Sequence, residues 1–112
     1  MMNVKEIDAV SLKEMMDENK ELQLYDVRSQ AEFAQGIIEG GVFMPMHTVP
    51  LKMNDLPRDK TIVFYCRSGA RSGQVCGYLA ENSDIEALNL RGGIISWYQS
   101  GFAIAKPDGM QM

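Results

Sequence analysis

Apolar residues recur along this chain with two spacings, and the spacing changes several times between Val4 and Gly101. Alternating or continuous apolar runs predict strands, whereas apolar residues three and four positions apart predict helices. The predicted strands cover residues 4–7, 22–28, 40–45, 61–66 and 85–90. The predicted helices cover residues 10–19, 29–36, 72–82 and 94–101. This alternation predicts a three-layer α/β/α fold around a five-stranded, mostly parallel sheet.

The uncharged run TIVFYC, residues 61–66, is rich in β-branched and aromatic residues. Such a run is typical of a parallel strand that is covered on both faces, so we place it at the centre of the sheet. Pro45, Pro50 and Pro57 precede it and leave room only for a short or irregular helix.

Two helix starts have the spacing of a capping box, in which serine and a glutamate three residues later bind each other's backbone N–H. Ser11 and Glu14 fit this pattern in the first predicted helix, and Ser29 and Glu32 fit it in the second. Gly36 is a suitable terminator for the second helix.

The 112 residues, 46% of them hydrophobic and 23% charged, are enough for one globular domain with its own core. We expect a single domain over residues 1–105 and a flexible tail over residues 106–112. The net charge of -4 does not favour nucleic-acid binding. The sequence shows no signal peptide and no apolar run of about 20 residues, so we expect a cytoplasmic protein without a membrane partner.

Two cysteines and a single histidine are too few for a disulfide scaffold or a structural zinc site. We therefore expect no metal and no cofactor. Cys76 falls within a predicted helix, where we expect a buried, inert thiol, and we expect Trp97 to pack in the core. His47 lies between prolines without an evident orienting partner, so we do not expect it to act as a general base.

Cys66 follows the predicted central strand, at the sheet edge where functional groups of parallel α/β folds collect. Residues 67–71 lead from it to a helix that is predicted to begin near Ser72, so the helix N-terminus faces the thiol. This N-terminus and the neighbouring Arg67 and Arg71 favour the thiolate, which makes Cys66 a candidate nucleophile.

Three small residues occupy the middle of this loop, namely Ser68, Gly69 and Ala70. Glycine permits a positive φ, and small side chains allow successive N–H groups to turn toward one anionic atom. The loop is therefore predicted to form a nest around whatever the sulfur of Cys66 carries.

Three blocks of the sequence carry a resemblance to a known family. YDVRSQAEFAQGIIEGGVFMP is similar to the first conserved block of the rhodanese (thiosulfate sulfurtransferase) family, CRSGARS to its active-site loop, and LRGGIISW to its closing block. The chain thus resembles a single-domain rhodanese from about Val4 to Phe102. One departure is Ile37, which stands where the family often has a histidine.

The resemblance implies that Cys66 accepts a sulfane sulfur as a persulfide, which the loop residues Arg67 to Arg71 hold, and passes it to a nucleophilic acceptor. It also implies a small anionic donor such as thiosulfate and an acceptor that is a thiol or cyanide. The resemblance is also compatible with a sulfur-relay protein as a partner. A persulfide carrier without turnover, fed by partner proteins, shares every one of these residues and remains an alternative.

A phosphatase-like or arsenate-reducing site is a second alternative, because an arginine-flanked thiolate also serves that chemistry. Four residues separate Cys66 from Arg71, one fewer than in the catalytic loops of phosphatases. The smaller ring suits a sulfur atom better than a phosphate group.

Asp26, Arg28 and Arg91 follow or end strands of the predicted sheet and are candidates for a supporting role around the loop. For Asp26 and Arg28 we favour an ion pair that stabilises the turn, with Arg28 reaching Glu32, because a carboxylate beside the thiolate would raise its pKa. Arg91 could help to hold an anionic donor.

Overall fold

The computed structural model describes residues 4–18 and 21–107 and confirms the predicted α/β fold. The strands are β1 (Lys5–Ile7), β2 (Leu22–Asp26), β3 (Gly41–Phe43), β4 (Thr61–Tyr65) and β5 (Ala87–Leu90). The helices are α1 (Ala9–Asp17), α2 (Gln30–Gln35), α3 (Val49–Lys52), α4 (Ala70–Asn82) and α5 (Gly93–Gln99). The strand order is β1-β5-β4-β2-β3, and every neighbouring pair is parallel.

Strand β4 is the central strand, as its uncharged sequence predicts. Ile62 and Phe64 belong to a core cluster on one face of the sheet, together with apolar residues of α3 and α4. Val63 and Tyr65 belong to a second cluster on the other face, which α1 and α5 cover. Because β4 is buried on both faces, packing on both sides fixes the position of its carboxyl end and of Cys66, which directly follows it.

The segment between β3 and β4 is irregular, in agreement with its prolines. It contains α3, which has Pro50 in its first turn, between two 3₁₀ turns, Met46–Thr48 and Met53–Asp55. Val49 and Leu56 fix this segment to the core cluster beside α4.

The capping prediction was wrong for α1 and is confirmed for α2. Helix α1 begins at Ala9 because Asp8, directly after β1, already has an extended backbone, and its Oδ1 accepts the N–H of Ser11 at 2.8 Å. Ser11 is therefore a helical residue. In α2, Ser29 and Glu32 form the complete capping box.

Helix α4 starts at Ala70, two residues earlier than predicted, because Gly69 serves as its N-cap. Trp97 is buried, as predicted, and its indole N–H donates to the carbonyl of Ala103. Most of the predicted tail, residues 108–112, lies outside the described residues, while Pro107 is buried. No helix in the described part of the chain is long and apolar enough to cross a membrane.

Candidate active site

Cys66 lies at the carboxyl edge of the sheet, where β4 ends and the loop to α4 begins. Its residue surface is only 1% exposed, and the cysteine is a free thiol. Because this sulfur is out of water, its charge state depends on the groups that contact it directly.

Three hydrogen-bond donors converge on the sulfur of Cys66. The N–H of Gly69 lies 3.1 Å from Sγ, and the N–H and the hydroxyl of Ser72 each lie 3.4 Å from it. Burial by itself raises the pKa of the thiol, but the hydrogen bonds from Ser72, Gly69 and Ser68 outweigh it and leave the pKa below its ordinary value of 9.0. The site therefore favours a buried thiolate.

The loop holds this shape because two glycines occupy positions that a side chain would not tolerate. Gly69 has a φ of +103°, a left-handed conformation that turns its N–H toward the sulfur. Gly93, with a φ of +63°, packs so closely that a Cβ atom would lie 2.3 Å from the carbonyl oxygen of Arg67. Next to it, the N–H groups of Ile94 and Ile95 donate to the carbonyls of Cys66 and Arg67, so the start of α5 anchors the loop.

The two loop arginines are in different environments. Arg67 is exposed, and no ion pair is described for it within residues 4–18 and 21–107. Arg71 forms a bidentate pair with Glu32 at 2.8 and 2.9 Å, and this pair lowers the pKa of Glu32 to about 2. Direct hydrogen bonds from Ser72, Gly69 and Ser68, rather than the arginine charges, therefore account for the lowered pKa of Cys66.

Asp26 and Arg28 form the ion pair that the sequence favours, but Arg28 does not reach Glu32. The guanidinium of Arg28 binds Asp26 Oδ2 at 2.7 Å and the carbonyl of Gly36 at 2.6 Å, while Glu32 binds Arg71. Both members of the pair are buried, with Asp26 wholly inaccessible. The carboxylate charge is thus compensated beside the turn that leads to α2.

Tyr65, the last residue of β4, extends this buried polar group on the side opposite Cys66. Its hydroxyl accepts the N–H of Ile38 at 3.1 Å and hydrogen-bonds with Asp26, and its ring lies 5.7 Å below the guanidinium of Arg28. Burial raises the pKa of Tyr65, so its hydroxyl remains protonated.

A chain of polar contacts behind the sulfur was not anticipated from the sequence. The hydroxyl of Ser72 contacts Asn89 Oδ1 at 2.5 Å, and the amide nitrogen of Asn89 contacts both the Gly69 carbonyl and Glu6 at 3.1 Å. Glu6 in turn accepts from Arg91 at 3.0 Å, which is where the structure places that arginine. The sequence feature that could have revealed these contacts is Asn89, a polar residue between two leucines in the predicted strand 85–90.

The second cysteine and the histidine are separate from these contacts. Cys76 is buried in the core cluster under α4, and burial raises its pKa to about 12, as expected for an inert thiol. His47 is exposed and lines a groove of about 420 Å³ that also borders Arg71. Within the described ranges, no three His, Cys, Asp or Glu side chains cluster as metal ligands would.

Comparison with known proteins identifies the family. The family model of the rhodanese-like domain matches residues 8–100 of this chain. A protein named sulfurtransferase from Allochromatium vinosum is 45% identical over 95% of this chain and 99% of its own, and the putative sulfurtransferase YtwF of Bacillus subtilis is 44% identical over 86% and 92%. The crystal structure of a rhodanese-like domain protein from Staphylococcus aureus, 35% identical, superposes with a TM-score of 0.77 over 84% of this chain and 91% of that one. This chain belongs to the rhodanese-like domain family.

Proposed function

We propose that this protein is a sulfurtransferase that moves a sulfane sulfur from an anionic donor such as thiosulfate to a thiophilic acceptor through a persulfide on Cys66. The observation that carries the proposal is the buried sulfur of Cys66, whose pKa is lowered by hydrogen bonds from Gly69 and Ser72. A thiolate is the nucleophile in sulfur exchange, so a lowered pKa increases the fraction of Cys66 that is in its reactive form.

In the first half-reaction, the Cys66 thiolate attacks the outer sulfur of thiosulfate. A new S–S bond forms, the S–S bond of thiosulfate breaks, and its electron pair leaves on sulfite. In the second half-reaction, cyanide or a thiolate attacks the terminal sulfur, and the electron pair of the persulfide bond returns to Cys66. No external oxidant or reductant is needed, because the sulfane sulfur is transferred between nucleophiles.

The N–H groups of residues 67–71 would hold the terminal sulfur of the persulfide, which carries the negative charge. Support comes from Gly69, whose left-handed backbone directs an N–H toward the sulfur, and from the start of α4 at Ala70. A ring with four residues between Cys66 and Arg71 fits one sulfur atom better than a phosphate group. We therefore favour sulfur transfer over ester hydrolysis.

Arg67 would attract the anionic donor, because its guanidinium is exposed and forms no ion pair that is described within residues 4–18 and 21–107. We assign Arg71, Asp26 and Arg28 to loop support, since each is engaged in an ion pair.

Arg67→Ala is expected to raise KM for thiosulfate several-fold and to weaken the salt dependence of KM, with a smaller effect on kcat. Arg58→Ala, which removes an exposed arginine at the amino edge of β4, is the matched control and should leave KM unchanged.

The deciding experiment measures the intact mass of the protein before and after incubation with thiosulfate, and again after cyanide. The proposal predicts the gain of one sulfur atom, its loss with cyanide, and no gain in Cys66→Ser, while Cys76→Ser behaves as the wild type. No gain from thiosulfate would overturn the proposed donor. Phosphate release from an aryl phosphate that depends on Cys66 would instead support the hydrolytic alternative.

The acceptor in the cell would be a thiol or a sulfur-relay protein, and cyanide would serve only in vitro. A chain that accepts sulfur from a partner protein but turns over thiosulfate very slowly would be a carrier rather than an enzyme. We also propose a cytoplasmic location, because a reducing compartment keeps the Cys66 thiol free.

A further inference from the structure

Asn89 lies behind the loop, on β5, at a point where three separate segments meet. It is 4% exposed and stands opposite Glu6 in the register of β1 and β5. Its amide nitrogen lies 3.1 Å from the Gly69 carbonyl and 3.1 Å from Glu6 Oε2. Because carbonyl and carboxylate oxygens only accept hydrogen bonds, the nitrogen must face them, and Oδ1 must face Ser72.

This orientation fixes what the Ser72 hydroxyl can do. The hydroxyl has one proton and two acceptors within reach, Asn89 Oδ1 at 2.5 Å and Cys66 Sγ at 3.4 Å. While the proton points to Asn89, Ser72 presents only a lone pair to the sulfur, which suits a neutral S–H group but repels a thiolate. To donate to a thiolate at Cys66, the hydroxyl has to rotate toward the sulfur and leave Asn89 Oδ1 without this donor.

We propose that Asn89 is a positioning residue that holds the Ser72 hydroxyl and the Gly69 carbonyl in place and competes with the Cys66 sulfur for the single Ser72 proton. The hydroxyl then serves the sulfur only when the sulfur is charged. Ser72 is the residue that touches the reacting atom, and Asn89 acts through it.

This arrangement has a consequence for sulfur delivery, which rests on the proposed function. In the persulfide, the negative charge lies on the terminal sulfur, so the inner sulfur of Cys66 is neutral and the Ser72 proton returns to Asn89. When the acceptor attacks the terminal sulfur, the S–S bond breaks and its electron pair returns to Cys66. The Ser72 hydroxyl then rotates to meet the charge that develops on this leaving sulfur.

The charged groups that pack around this network are paired, and the exposed Arg67, which follows Cys66 directly, is the same in every variant of the test. Arg71 on α4 is close enough to interact with a charged Cys66, but it is bound to Glu32. Glu6 on β1 is bound to Arg91, which follows β5. The Asp26 and Arg28 pair at the end of β2 compensates itself. A shift in the titration of Cys66 when Asn89 or Ser72 changes would therefore report the hydroxyl and the amide.

The test is a double-mutant cycle on the titration of Cys66, followed by thiolate absorbance near 240 nm. The wild type, Ser72→Ala, Asn89→Leu and the double variant are each measured as the difference from the same protein with Cys66→Ser, which removes the tyrosine signal. Removal of the Ser72 hydroxyl takes away a hydrogen bond to the charged sulfur, so the acid dissociation constant of Cys66 should fall about tenfold. The full tenfold fall is expected only in the Asn89→Leu background, where Asn89 no longer competes for the Ser72 proton. Ser72→Ala should therefore have a several-fold smaller effect when Asn89 is present.

The cycle cancels the loss of the Gly69 contact, because both proteins with Asn89→Leu share it. Ser83→Ala, which removes a hydroxyl that donates to Leu79, is the control and should not change the titration. Equal effects of Ser72→Ala with and without Asn89 would overturn the proposal. So would no effect of Ser72→Ala at all.

A measurement on the wild type keeps the proposal testable if Asn89→Leu does not fold. The side-chain amide resonances of Asn89 in ¹⁵N-labelled protein should shift with the same apparent pKa as Cys66, and this shift should vanish in Cys66→Ser. Resonances that do not respond to Cys66 would refute the competition for the proton. Neither experiment uses a sulfur donor, so a protein that fails to form a persulfide would still give a clear answer.

Discussion

Gly93→Ala should both destabilise the protein and disturb the loop that follows Cys66, because the backbone of Gly93 packs directly against that loop. A Cβ atom at this position would lie 2.3 Å from the Arg67 carbonyl oxygen and 2.5 Å from that of Cys66. Both oxygens belong to the backbone, so no side-chain rotation can relieve the overlap. The loop and the start of α5 must move apart.

The expected cost has two parts. An alanine held at a φ of +63° costs about 1–2 kcal/mol relative to glycine. Separation of the segments also loses the hydrogen bonds from Ile94 and Ile95 to the loop carbonyls, at roughly 1 kcal/mol each. The total of about 3–4 kcal/mol should lower Tm by roughly 12–16 °C, at about 4 °C per kcal/mol for a domain of this size.

Gly40→Ala is the matched control, because Gly40 has a comparable φ of +89° and no atom within 4 Å of an added Cβ. It should lose only the conformational part, about 1–2 kcal/mol or roughly 4–8 °C in Tm. Thermal unfolding followed by circular dichroism measures both variants. The thiolate absorbance of Cys66 should shift to higher pH in Gly93→Ala alone. Equal Tm values for the two variants would refute the packing argument.

Three further substitutions test other contacts. Glu32→Gln should lower Tm at neutral pH but not below about pH 2. The reason is that the ionised Glu32 stabilises the fold above its unfolded pKa of 4.5, and this stabilisation is lost as the pH falls through its folded pKa of about 2. Parallel curves of Tm against pH for the two proteins would contradict this. Cys76→Ala should leave the Cys66 titration unchanged, which thiolate absorbance would check, because burial keeps Cys76 protonated. Tyr65→Phe should cost about 1–3 kcal/mol in urea unfolding, since Asp26 and the Ile38 N–H lose a buried partner; an unchanged midpoint would count against that network.

The parts of the structure that the sequence predicts are those set by local patterns. Strand β4 is recognisable because it is uncharged on both faces, and Cys66 is recognisable because glycine and small residues follow a buried strand. The α1 cap failed for an equally local reason. Asp8 and Ser11 are both good cap residues, and the end of β1 at Ile7 decided between them.

Contacts between distant residues could not be read in the same way. Glu6 and Asn89 are 83 residues apart and meet only because β1 adds to the sheet beside β5 in that register. Arg71 and Glu32 are 39 residues apart and meet where the first turns of α2 and α4 approach each other. The hydrophobic pattern predicts that strands exist but not which of them are neighbours, so the sequence pointed to the nearby Arg28, and not to Arg71, as the partner of Glu32.

The distinction between paired and unpaired charges shows how an acidic protein could attract the anionic donor that we propose. Glu32 compensates the charge of Arg71, and the thiolate of Cys66 is stabilised by short-range hydrogen bonds that salt does not screen. Arg67 remains as an exposed cation beside the loop, and its field acts over roughly the Debye length of 8 Å at physiological ionic strength. The proposal therefore assigns activation of the nucleophile and attraction of the donor to different groups. Salt should weaken capture of thiosulfate while leaving the acidity of Cys66 nearly constant.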